Sequence, residues 1–245
     1  MRSHEPEALR TLIFGGAFNP LHIGHLRAAV EVSGMLGFER VEWVPSYAPL
    51  HKADQTLLPF ELRVALLRTA FGGHDDFHVN EIESELPTPS VTVQTLEAMA
   101  LRAPAAERHF LLGDREFLRL HTWRAGSRVV ELAHIVVVCR TEFDLEAFSS
   151  QVAGAWPHSH RVPPPSGALM AFELVPGRRA VVVAIPRIEV SSSLVRTEWL
   201  EGRSVAHLVP APVAELLALH RDAVQSAWTA SAGSSPGAAA SGVGK

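Results

Sequence analysis

Ile13 to Leu26 read IFGGAFNPLHIGHL. A short apolar run ends in two glycines, and His22 and His25 then flank a third. The run has the character of a buried strand, and the residues from His22 onward that of a helix start. Gly15-Gly16 directly after a strand lets the backbone turn tightly and approach a ligand with no Cβ in the way. The histidines fall at the helix N-terminus, where free N–H groups and the positive dipole end attract anions. Their spacing projects both imidazoles from one side of the helix, so both can face one phosphate. The stretch lacks the GxGxxG and GxxxxGK[ST] fingerprints of other phosphate loops and the HExxH spacing of zinc proteases. Taken alone, it fits a phosphate site and a plain strand-to-helix turn equally well.

Working outward, short β-branched runs alternate with helical periodicity. TLIF (11–14), VEWV (41–44), FHVNEI (77–82), HFLL (109–112), HIVVVC (134–139) and AVVVAI (180–185) read as buried strands. Between the first two lies a helix predicted to share Leu26, Ala29, Val30 and Ser33 on one face. A second helix runs from Phe60 to Phe71 and a third from Val91 to Leu101, capped by Ser90 or Thr92. The alternation predicts an α/β fold: a Rossmann-like, doubly wound parallel sheet with helices on both faces and a C-terminal helical segment. Ligands of such sheets bind beyond the carboxyl ends of the strands. Residues 1–10 read as an extension and 11–222 as one domain. WPHSHRVPPPSGA (156–168) reads as a surface excursion, and the Ala/Ser/Gly-rich residues 223–245 as a disordered tail.

The bulk properties set outer limits. The chain has 245 residues, enough to bury a core, and a formal net charge of -4. That balance argues against a nucleic-acid surface but leaves room for a small anionic ligand. Cys139 is the single cysteine, so no internal disulfide forms and a reducing compartment is expected. No apolar stretch reaches the roughly 18–20 residues that span a bilayer, and MRSHEPEALR lacks a signal region. A soluble, cytoplasmic protein with no membrane partner is the expectation.

Two further pieces follow strands. In EVSSSLVRTEWLEG (189–202), serines precede a helix and Arg196 lies one turn inside it. Hydroxyls, amides and a guanidinium can converge there on phosphate oxygens, or the segment is an ordinary cap with a solvated arginine. VPSYAPLHK (44–52) places His51 and Lys52 in a proline-stiffened loop. All three pieces belong on the same edge of the sheet.

GGAFNPLHIGHL with a distant SSSLVR resembles the nucleotidyltransferase superfamily marked by an HxGH element and a late SSxxxR-type element. Within it, Thr11 to His220 resembles the bacterial nicotinate-nucleotide adenylyltransferases of NAD biosynthesis. PSYAPLHK, PSVTVQTLEAM (89–99), LLGDREFLRLHTW (111–123) and VSSSLVRTEWLEGRSVAHLVPAPV (190–213) carry the match further. The resemblance implies adenylyl transfer from Mg-ATP to nicotinate mononucleotide, giving deamido-NAD and pyrophosphate. It implies that Gly15, Gly16, Phe18 and Asn19 shape the loop under the nucleotide, with His22 and His25 on the ATP phosphates. Lys52 would approach the β- and γ-phosphates, and Ser192 and Arg196 the triphosphate from the opposite side. Gly113 and the backbone around Ile188 would lie near the nucleotide. Thr92 and Trp123 would hold the pyridine end, Trp123 by stacking. Mg²⁺ would ride on the triphosphate, with no metal ligands from the chain.

The match departs from the family in two places. Val91 replaces an aromatic in the PSYT element. In the GxD…W element, Asp114 comes one position early and Arg115 occupies the aspartate's place, so either residue could take the mononucleotide-binding role. The alternatives to the leading function are the same reaction on nicotinamide mononucleotide, a pantetheine-phosphate adenylyltransferase, and a nucleotide-binding regulatory protein without turnover. The pantetheine enzymes carry Thr where His22 stands.

Overall fold

The computed structural model describes residues 9–49, 57–140 and 144–232. Its strands are β1 (Arg10–Gly16), β2 (Arg40–Pro45), β3 (Phe77–Val79), β4 (Glu107–Gly113), β5 (His134–Arg140), β6 (His160–Val162), β7 (Met170–Val175) and β8 (Arg178–Ile185). They form one sheet in the order β3-β2-β1-β4-β5-β8-β7-β6. Every pair from β3 through β8 is parallel. The chain winds outward from β1 through β2 to β3, then returns to the other side of β1 with β4 and β5. The carboxyl ends of β1 and β4 therefore flank the switch point of the winding, where such sheets open a crevice.

The central strands are continuous β-branched runs because both faces are covered. Consecutive residues enter opposite cores: Leu12, Val136 and Val181 join one cluster, and Ile13, Val137 and Val182 the other. The first cluster is closed by α1 (Ile23–Leu36), α2 (Phe60–Ala70), α7 (Ser192–Leu200), α8 (Ala211–Leu219) and α9 (Arg221–Ala232). The second is closed by α3 (Thr92–Arg102), α4 (Asp114–Arg119), α5 (Gly126–Leu132) and α6 (Leu145–Ala155). No described helix is long and apolar enough to cross a membrane.

The parallel, doubly wound sheet is as expected from β3 through β8, and an antiparallel edge extends it, β7 against β8 and β6 against β7. Several other expectations are corrected. The segment 156–168 contains β6, which pairs with β7 through His160, Arg161 and Val162. β3 stops at Val79, and Ile82–Glu85 forms a 3-10 turn instead. In α1 the buried face is Ala29, Val32 and Leu36, while Val30 is 40% exposed. The N-cap of α3 is Val91, without a side-chain bond, because the Ser90 hydroxyl accepts instead from the Ala48 amide at 3.0 Å.

The expected disordered tail is overturned over its first part. Residues up to 232 form α9, and its Val224 and Trp228 are 0% and 1% exposed. Those two are four apart, one helical turn, so both reach the first core from a helix otherwise rich in Ala and Ser.

Candidate active site at the carboxyl edge of the sheet

The glycine pair ends β1 where space is shortest. A Cβ on Gly15 would stand 3.3 Å from the Phe110 ring, and one on Gly16 3.2 Å from the Phe18 ring. Phe18 itself has φ 46°, a left-handed value costly for a bulky residue. Its ring is locked edge-on to Phe14 at 5.6 Å and His25 at 5.2 Å.

His22 is the N-cap of α1, with extended backbone at φ -140° and ψ 169°, so it precedes the helix rather than lying within it. Its amide donates to Nδ1 of His25 at 3.2 Å, and the two rings stack with centroids 3.6 Å apart. Because Nδ1 accepts, the neutral His25 ring carries its proton on Nε2. His22 is 8% exposed, and burial pushes its pKa down to about 4, so it is neutral at pH 7. Gly24 is required between them: a Cβ there would come within 2.8 Å of Val190 Cγ1 and 3.1 Å of His22 Nδ1. One expected phosphate donor is already used, since the Ile23 amide donates to the Leu208 carbonyl at 3.0 Å.

α7 is latched onto the loop before the histidines. The Ser192 hydroxyl donates to the Pro20 carbonyl at 2.9 Å, and Arg196 Nη1 to the Asn19 carbonyl at 2.9 Å. Arg196 also donates from Nη2 to the Ser193 hydroxyl at 3.1 Å. Partial burial lowers its pKa, and it remains a cation at pH 7. Asn19 is 3% exposed and turned inward, contrary to a ligand-facing role. Its Oδ1 accepts from the Leu58 amide at 3.0 Å and the Trp228 indole at 3.3 Å.

Two supporting residues went unread in the sequence. Trp228 is one. Arg63, 1% exposed, donates from Nη1 to the Ala17 carbonyl at 2.8 Å and from Nε to the Leu58 carbonyl at 3.0 Å. Burial lowers its pKa to about 10, partly offset by Glu83 and Glu61. A charge inside the apolar pattern FELRVALL was the available signal.

A cavity of about 250 Å³ opens beside Gly24, floored by Val138 and Ile185 and lined by Gly113, Asp114 and Ile188. Asp114 thus stands with Gly113 and Ile188, while Arg115 is exposed and contributes nothing to the lining. Arg27 and Arg187, not singled out in the sequence, also line it. Thr92 opens α3, and Trp123 follows the 3-10 turn Leu120–Thr122; both are half-buried. Gly126 holds that turn closed, since a Cβ on it would sit 1.9 Å from the Leu120 carbonyl oxygen. His51 and Lys52 lie outside the described residues. A larger, mainly apolar cavity of about 600 Å³ lies between α5, the end of α6 and β7, and neither His22 nor His25 lines it.

Among the described residues one group has metal-type donors: Glu107, His109 and His134, with donor atoms within 4.8 Å of one another. It lies at the opposite, amino edge of the sheet. His134 Nδ1 accepts from the Arg179 amide at 3.2 Å, so a neutral ring keeps its proton on Nε2, the atom nearest Glu107. Arg10 and Arg178 add positive charge beside it. Burial and this positive charge push both imidazoles toward the neutral form.

Residues 13–198 match the family described as cytidylyltransferase-like. The chain is 34% identical over 216 residues to a protein of Maridesulfovibrio salexigens described as "Probable nicotinate-nucleotide adenylyltransferase", covering 88% of this chain and 98% of that one. The chain belongs to the nicotinate-nucleotide adenylyltransferase family. A second relative of that description, from Symbiobacterium thermophilum, is 32% identical over 212 residues, with 86% and 94% covered. The fold matches the Plasmodium falciparum nicotinic acid mononucleotide adenylyltransferase complexed with NaAD, with a TM-score of 0.65 at 14% identity, covering 87% of this chain and 97% of that one. Within this adenylyltransferase family the chain keeps both histidines of the HxGH element, the glycine between them and Arg196.

Proposed function

We propose that the chain transfers an adenylyl group from ATP to nicotinate mononucleotide, releasing pyrophosphate and forming deamido-NAD. The observation that carries this reading is the junction at Asn19: one carbonyl holds Arg196 of α7 beside the loop that delivers His22 and His25. Two imidazoles and a guanidinium thereby share one sheet edge with a cavity for the nucleoside. In the reaction a 5′-phosphate oxygen of the mononucleotide attacks the α-phosphorus of ATP. A new P–O bond forms as the bond between the α-phosphorus and the bridging oxygen breaks, and the electron pair leaves with pyrophosphate. No covalent enzyme intermediate is needed, so catalysis is alignment and charge stabilisation.

His25 donates its Nε2 proton to the α-phosphate oxygens, where charge grows. His22, neutral through burial, packs on His25 and fixes its plane. Arg196 and Ser192 flank the triphosphate, and Lys52 reaches its far end. Ile188 and the apolar floor of the cavity take the adenine, and Asp114 accepts from a ribose hydroxyl. Thr92 and Trp123 hold the pyridine end. The donors beside the phosphates are neutral or cationic, so Mg²⁺ would be held by the triphosphate oxygens and would supply charge neutralisation there. We place the reaction in the cytoplasm, where the lone buried thiol of Cys139 suits reducing conditions.

Parallel turnover of nicotinate and nicotinamide mononucleotides with Mg-ATP tests the substrate. Higher kcat/KM for nicotinate mononucleotide is expected, and the reverse order would overturn the assignment.

A further inference from the structure

α9 lies beyond the family-matched residues 13–198, yet it reaches the back of the active site. Four tryptophans are buried: Trp43, Trp156, Trp199 and Trp228. The indole N–H groups of Trp43, Trp156 and Trp199 have no partner among the described residues. Trp228 alone of the four is bonded, donating from Nε1 to Asn19 Oδ1 at 3.3 Å. The fold accommodates unpaired indoles elsewhere, so apolar bulk does not account for this bond. Trp228 also meets Trp199 of α7 edge-on at 5.9 Å, which ties α9 to the helix carrying Arg196.

Asn19 joins three parts of the chain. Its side-chain oxygen accepts from Leu58 and Trp228, and its main-chain oxygen from Arg196. Leu58 and Trp228 come from segments 39 and 209 residues away, so the Oδ1 atom is held against two separate parts of the chain. Two donors fix the side chain, and with it the peptide on which Arg196 rests and the backbone entering His22.

We propose that Trp228 is a positioning residue for adenylyl transfer, acting through Asn19 on Arg196 and the histidine loop; this rests on the function proposed above. Stabilisation of transition-state charge falls steeply when donors are misplaced, whereas ground-state binding is spread over the cavity.

The test uses the full chain with two variants: Trp228→Phe, and replacement of Trp228 by benzothienylalanine, which keeps the indole shape and substitutes sulfur for N–H. With Mg-ATP and nicotinate mononucleotide, kcat is expected to fall about tenfold, the loss of one buried hydrogen bond, with both KM values within about twofold. In an Asn19→Ala background, Trp228→Phe should lower kcat no further. Full kcat in the benzothienylalanine protein, or equal losses in both backgrounds, would overturn the inference even if Trp228→Phe fails to fold. Wild-type chain that forms no dinucleotide would instead refute the function and the inference together.

Discussion

The His22 amide donates to His25 Nδ1 at 3.2 Å, and the two rings stack at 3.6 Å. The HxGH pair is thus a unit with divided tasks: one residue supplies an amide and a buried ring face, the other an oriented N–H. His25→Ala is expected to lower kcat by about a hundredfold or more, as for loss of one preorganised donor. An unchanged kcat, measured at saturating ATP and mononucleotide, would contradict the role.

The glycine between them is sterically determined. Gly24→Ala drives a methyl to 2.8 Å from Val190 Cγ1 and toward the His22 ring. Overpacking of this kind costs about 1–3 kcal/mol of stability, and displacement of the His22 ring should lower kcat/KM about tenfold or more. Retained kcat/KM with unchanged melting temperature would show that the β8–α7 loop yields without consequence.

Asp114 and Arg115 can be separated kinetically. Asp114 lines the cavity and Arg115 does not. Asp114→Ala should raise KM for nicotinate mononucleotide by about tenfold or more, the loss of a charge-assisted hydrogen bond. Arg115→Ala should leave it within about twofold, on the footing of an exposed surface change. The opposite ranking would return the aspartate's role to Arg115.

Two buried imidazoles make the fold acid-sensitive. Burial lowers His22 to about 4, and burial with the His134 and Arg10 charges lowers His109 to about 3. Both lie below the unfolded value of 6.5, so between those limits the unfolded chain binds more protons and stability rises with pH. Their contribution is complete above pH 6.5 and is lost as pH falls toward 4 and then 3. Each adds a slope of up to about 1.4 kcal/mol per pH unit. Urea denaturation at pH 7 and pH 5 should show the loss, and His109→Gln should flatten it; equal stability at both would contradict the buried neutral state.

Local patterns carried much of this arrangement. The valine runs declared strands covered on both faces, and Gly15-Gly16 followed by His22 and His25 declared a strand-to-helix turn. What stayed hidden depends on distance in the chain. Asn19 finds its partners 39 and 209 residues away, which no local pattern encodes, so its inward orientation was unreadable. Trp228 sits among Ala and Ser, whose low hydrophobicity masked a two-residue apolar stripe. Arg63 left a trace, a charge inside FELRVALL, but a helical stripe of Leu and Val does not tell whether that guanidinium turns inward or reaches solvent. Met170, Phe172 and Leu174 do alternate, but the proline-rich stretch before them obscured an antiparallel edge.

The central claim is adenylyl transfer, and ATP labelled at its α-phosphorus tests it most directly. With Mg²⁺ and nicotinate mononucleotide, the label should appear wholly in the deamido dinucleotide, with unlabelled pyrophosphate released in equal amount. Label remaining in ATP, or leaving only as free AMP, would contradict the account.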